Sequence, residues 1–187
     1  LIGRCLAPYR LTINDLLLTA LANAIAQWTG ENYVLIDMEG HGREDILDDV
    51  DLSRTVGWFT TIYPVLLTAG AASERDELRT IKEQLRQLPN HGIGYGLLRY
   101  LSNDQERLRD LPRAEIIFNY LGQLDQILPQ SSPFLMARES SGPGQSARGT
   151  RSHVLDISAR VIGGQLQLSF SYSANQYERR TIEKLSG

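Results

Sequence analysis

Cysteine is nearly missing from this chain. Cys5 stands alone among 187 residues, so no internal disulfide can form and a reducing, cytosolic setting is the natural expectation. Long apolar runs are missing as well: none reaches the roughly twenty residues needed to cross a bilayer, and no charged-then-apolar leader precedes a small-residue cleavage site. Neither a membrane anchor nor a targeting segment is expected. There is no basic excess, since 19 Lys and Arg against 22 Asp and Glu leave a formal net charge of -3, and nucleic acid is therefore not an expected partner. The three histidines, His41, His91 and His153, show no i,i+4 pairing and have no cysteine partners, so a zinc site has no support. No G-x-S-x-G elbow is present, which removes the usual serine-hydrolase arrangement. "HGIGYG" (His91 to Gly96) is glycine-rich, but a dinucleotide loop needs a strand before it and here a helical pattern precedes. It reads as a turn in which Gly92, Gly94 and Gly96 allow a bend and a close helix approach.

What is present describes an ordinary globular chain. Hydrophobic content of 42% with 22% charged residues lies far from the composition of disordered proteins, and the length suits one domain. The chain opens at Leu1 rather than Met and enters a structured pattern within about ten residues, as a piece of a longer polypeptide would. From Thr12 to Trp28, Leu17, Leu21, Ala24, Ile25 and Trp28 recur at helical spacing, with a Thr12/Asp15 capping box and Gly30 as the stop. "YVLIDM" (Tyr33 to Met38) reads as a strand covered on both faces, and "GWFTTIYPVLLT" as a second whose Pro64 implies an edge or a bulge. Ser73 with Asp76 starts another helix that Pro89 ends, and "AEIIFNYLG" is a further strand. A Ser/Gly/Pro-rich tract runs from Pro129 to Gly149. "SHVLDISARVIGGQLQLSFSYS" alternates on both sides of Gly163-Gly164 as a hairpin does, and Asn175 is placed to cap a last helix. The expected fold is α/β: a mixed β-sheet with packed helices.

The chemistry concentrates in "EGHGRE" (Glu39 to Glu44). Glu39 leaves a strand beside Gly40, His41 and Gly42, so backbone can pass close to a ligand while the carboxylate is partly desolvated, which moves its pKa toward the range useful for proton transfer. Alternatively Arg43 pairs with Glu39 or Glu44 and simply fixes the loop. The loop alone leaves both accounts open.

Five stretches in order, "NDLLLTALANAIAQW", "MEGHGRE", "RTVGWFTTIYPV", "PNHGIGYGLL" and "FNYLGQLD", resemble successive motifs of the second half of epimerization domains from nonribosomal peptide synthetases. The likeness runs from about Asn14 to the final helix, with "EGHGRE" and "FNYLG" its specific parts. It implies one lobe, the C-terminal one, of a two-lobed fold similar to chloramphenicol acetyltransferase, with the active site in a tunnel between lobes. The family's "HHxxxDG" histidine belongs to the other lobe and has no match here.

That resemblance implies inversion of the α-carbon of an aminoacyl or peptidyl thioester, delivered on the 4'-phosphopantetheine of a peptidyl carrier protein, with no cofactor bound directly. It makes Glu39 and Tyr120 the catalytic candidates, on one wall of the tunnel. Arg43 would orient Glu39, Asn119 would fix the loop, and Gly40, His41 and Gly42 would let the strand end meet the thioester. Implied partners are the N-terminal lobe and neighbouring synthetase domains. A lone lobe is expected to fold without epimerizing, to expose an apolar patch and to self-associate through it. The tract from Gln123 to Thr150, which keeps Ile127, Leu128, Phe134, Leu135 and Met136, would be an arm crossing to the other lobe. A condensation-like docking platform without catalysis and the lobe of an amide-forming condensation domain are the alternatives; "EGHGRE" with "FNYLG" favours the epimerase.

Overall fold

The computed structural model describes residues 10–46, 48–103, 105–124 and 149–187, with isolated positions 133, 137, 139, 142 and 146 between them. Cys5 and the apolar residues 127, 128 and 134–136 of the expected crossing arm lie outside the described residues. Helix α1 covers Ile13–Thr29, and the Thr12/Asp15 capping box is formed in both directions. Gly30 closes it at φ 80°, a left-handed conformation that costs glycine nothing. Strand β1 (Tyr33–Gly40) and strand β2 (Thr61–Thr68) follow, then α2 (Glu74–Arg86), begun by the Ser73 side chain accepting from the Asp76 backbone N–H. A short 3-10 turn (Pro89–Gly92) leads into α3 (Ile93–Leu101), α4 (Gln105–Arg109) and β3 (Ile116–Gln123). The hairpin β4 (Leu155–Ile162) and β5 (Gln165–Tyr172) turns on Gly163 and Gly164, both at positive φ, and α5 (Arg179–Ser186) ends the chain.

The five strands form one mixed sheet in the order β2-β1-β3-β4-β5. The central pairs β1/β3 and β3/β4 are parallel, and the outer pairs β1/β2 and β4/β5 are antiparallel. Pro64 sits in edge strand β2 opposite Asp37, and an edge strand is where a residue without an N–H is tolerated. Strand alternation gives the sheet two unlike faces. Ile36 and Met38 of β1, Tyr63, Val65 and Leu67 of β2, Phe118 of β3 and Ile157 and Ala159 of β4 are buried with Leu18, Ala22 and Ile25 of α1. The opposite face carries Asp37 and Glu39, Asn119, and Asp156 and Ser158 at the matching register. β1 is therefore not covered equally on both faces: Tyr33 is exposed and only Ile36 and Met38 are fully buried.

Two sequence expectations shift. "HGIGYG" is a turn only as far as Gly92; Gly94 and Gly96 lie inside α3, and a Cβ at either would meet nothing within 4 Å. Gly92 alone makes the close approach, at φ +81° with its Cα against the Tyr63 ring. Asn175 does not cap the last helix, because a turn from Ser173 to Tyr177 intervenes and α5 starts after Glu178. Val56 and Trp58 in the β1–β2 connection and Tyr100 and Leu101 at the end of α3 expose most of their surface.

Candidate active site

Glu39 lies near the end of β1, one residue before the strand gives way to the loop, on the face away from α1. Its carboxylate accepts a hydrogen bond from the Asn119 side-chain amide of β3. Burial pushes the Glu39 carboxyl above its ordinary range, and the Asp156 charge pushes the same way; the Asn119 hydrogen bond and His153 pull it back. A half-buried carboxylate held by one neutral amide, its pKa still raised on balance, is oriented without being locked in the ionised state. That state suits proton transfer.

Arg43 does not orient Glu39. Its guanidinium donates to the backbone carbonyls of Leu52 and Thr55 (2.8 Å to the latter) and lies 4.3 Å from the Phe59 ring centroid. A planar fork with five donors suits several loop carbonyls at once, so Arg43 gathers the β1–β2 connection, and the orienting part falls to Asn119. The glycines serve the same connection. Gly42, at φ +67°, lies so close to Phe59 that a Cβ would fall 1.7 Å from its carbonyl oxygen, and a Cβ on Gly40 would meet Thr61 Oγ1 at 3.0 Å. They admit the chain's own segment 59–61 rather than a ligand. His41 accepts the Arg43 backbone N–H on Nδ1 (2.9 Å), which leaves Nε2 to face Glu44 at 3.3 Å. Glu44 is also bound by His91 Nδ1 at 2.7 Å, so it fastens the loop to the turn before α3.

Tyr120 is not on the wall that carries Glu39. Adjacent residues of a strand face opposite ways, so with Asn119 toward Glu39 the Tyr120 ring turns to the helix side, where it packs on the core. The site also contains groups that the motifs did not single out. His153, just before β4, places Nε2 2.8 Å from Asp37 Oδ2, and Asp156 lies across β3 from Asp37 in the same row. The alternation of β1 and β4 marks both aspartates as sharing a face; no local signal joins His153 to a residue 116 positions away. Beside them, α3, the start of β2 and the segment before β3 border a cleft of about 490 Å³ lined by Asp37, Tyr95, Arg99, Arg113 and His153. Among the described residues no group of three or more His, Cys, Asp and Glu is placed to hold a metal ion, and no helix is long and apolar enough to cross a membrane.

The condensation-domain family model matches residues 1–187. A component of the linear gramicidin synthase of Brevibacillus parabrevis is 50% identical over 185 residues, covering 97% of this chain and 2% of that protein. The crystal structure of the epimerization domain from the third module of tyrocidine synthetase B superposes with a TM-score of 0.87 at 41% identity, over 97% of this chain and 40% of that one. The first condensation domain of the CDA synthetase shares the fold at a TM-score of 0.62 and 16% identity, over 98% of this chain and 39% of that one. The chain thus spans less than half of each of these solved structures and a small part of the gramicidin synthase component. A family match over its whole length, with a five-stranded mixed sheet superposing on solved members, places the chain in the condensation-domain family of nonribosomal peptide synthetases.

Proposed function

We propose that this chain is the C-terminal lobe of an epimerization domain, and that the two-lobed domain inverts the α-carbon of a carrier-bound aminoacyl or peptidyl thioester from L to D. The observation that carries the reading is the Glu39 carboxylate: on the polar face of the sheet, held by Asn119, and raised in pKa by burial. Likeness to the solved epimerization domain supports it over an amide-forming condensation domain, whose solved example resembles this chain in fold alone.

Inversion requires that the α-proton leave one face of the carbon and that a proton return to the other. As the C–H bond breaks, its electron pair moves toward the thioester carbonyl to give an enolate-like state. Glu39 takes or returns one of the two protons, and a raised pKa brings its proton affinity nearer the operating pH, where general acid/base groups work best. Asn119 keeps the carboxylate aimed and, by binding its charged form, limits how far the pKa rises. The second proton-transfer group and the far wall of the tunnel come from the other lobe. The substrate arrives on the 4'-phosphopantetheine arm of a carrier protein, and the chemistry asks for no bound cofactor.

The test is deuterium entry at the α-carbon of a carrier-bound aminoacyl thioester in D₂O, using the intact two-lobed domain. Glu39→Gln preserves shape and one acceptor for Asn119 but cannot transfer the proton, so exchange is expected to fall by about 10²-fold or more with the melting temperature kept. Exchange within a few-fold of wild type would return the loop to a purely structural role.

A further inference from the structure

Two further carboxylates, Asp37 and Asp156, share this face of the sheet with the candidate base. Asp37 and Glu39 are two apart on β1 and so point the same way, and Asp156 lies in register with Asp37 across β3. His153 reaches into this cluster. Its side chain is only 10% exposed, and its Nε2 meets the Asp37 carboxylate, itself 21% exposed, at 2.8 Å. On the other side of the ring, Nδ1 lies 3.1 Å from Ser152 Oγ. Both ring nitrogens therefore face groups that can accept, so a doubly protonated ring is satisfied at each end. β3 separates β1 from β4, and the imidazole spans it.

We propose that His153, seated on Asp37, is a positioning residue for Glu39: its positively charged ring allows the Glu39 carboxylate to ionise beside Asp37 and Asp156. This rests on the reading of Glu39 as the proton-transfer group. Other charged groups near the ring are accounted for. Arg151 is turned to Ser171, with its Nε donating to the His153 carbonyl. Arg99 of α3 donates to Tyr95 Oη and lies over the Tyr95 and Tyr100 rings. Arg113, before β3, lines the same cleft but is exposed to solvent. Of these groups, His153 is the one with a direct bond to the carboxylate row, through a side chain only 10% exposed. The directions agree: the Asp156 charge raises the Glu39 pKa and His153 lowers it.

A purely structural tie across β3 would work equally well at every pH, whereas a counter-charge has a sign. The experiment is the pH dependence of α-carbon deuterium exchange by the intact domain, for wild type, His153→Gln, Asp156→Asn and Glu39→Gln. Removing the ring charge moves the acid limb of the profile to higher pH, and the rate recovers at alkaline pH. Removing the Asp156 charge moves the same limb to lower pH. Limbs that stay on the wild-type profile in both variants, while Glu39→Gln abolishes exchange, overturn this inference alone. If Glu39→Gln leaves exchange intact, the reading of Glu39 falls and takes this inference with it. If His153→Gln does not fold, nitrogen-15 NMR of the wild-type ring decides: a ring protonated through the acid limb supports the inference, and one neutral throughout that limb overturns it.

Discussion

Glu39 and Glu44 bracket the same Gly-His-Gly-Arg stretch, and the sequence offers little to tell them apart. The fold separates them completely. Glu39 is still on strand β1, oriented by a neutral amide from β3 and raised in pKa by burial; Glu44 is off the sheet, gripped by His41 and His91. One carboxylate is left available for chemistry and the other fastens a loop. The decisive element is the strand end: alternation carries Glu39 onto the polar face with Asn119, while the residues after Gly40 are free to turn toward the segment before α3.

The comparison breaks most severely at Gly42. An alanine there needs a left-handed backbone and would drive its Cβ to 1.7 Å from the Phe59 carbonyl oxygen, so Gly42→Ala should cost about 2 kcal/mol or more in a denaturation experiment. A cost below a few tenths would mean the loop is not seated on segment 59–61. Next in size is Asn119→Ala, which leaves Glu39 unaimed: exchange at the α-carbon should drop by about tenfold, equivalent to roughly 1.4 kcal/mol of transition-state stabilisation. Tyr120→Phe in the same assay should stay within a few-fold, since its ring faces the core; a larger loss there than for Asn119→Ala would reverse the assignment of faces.

Smaller again is His91→Gln. The ring is 77% exposed, so its bond to Glu44 should be worth less than about 1 kcal/mol of stability. The smallest effect has the most informative sign. A carboxyl whose folded pKa is raised contributes stability that is complete below its unfolded pKa and is lost as pH rises through the folded value. Ionised Glu39 is therefore a slight burden at neutral pH, and Glu39→Gln should melt at the same temperature as wild type or slightly above it at pH 7, with the difference closing in acid. A clear drop in melting temperature at pH 7 would show that the ionised carboxylate holds the fold together.

Much of the frame is readable in the residues themselves. The Thr12/Asp15 capping box, the Ser73 cap, the edge position of Pro64 and the turn at Gly163-Gly164 each follow from local chemistry, and each is found. The site is readable in part. That Glu39 leaves a strand is visible in "YVLIDMEG", but placing Tyr120 on the same wall as Glu39 and Asn119 overlooks that neighbours on a strand face opposite ways. Side-chain charges are what a sequence displays, so a carboxylate partner suggests itself for Arg43; its actual acceptors are backbone carbonyls, which every residue carries and none advertises. The pair Asp37–His153 depends on bringing β4 beside β3 and β3 beside β1, a property of the sheet order that no window of sequence contains.

The most direct test sets the two glutamates side by side. In the intact two-lobed domain, initial rates of deuterium entry at the α-carbon of a carrier-bound thioester would be measured for Glu39→Gln and Glu44→Gln under the same conditions. The account predicts a loss of about 10²-fold or more for Glu39→Gln and only a few-fold for Glu44→Gln. Equal losses, or a larger one for Glu44→Gln, would contradict it.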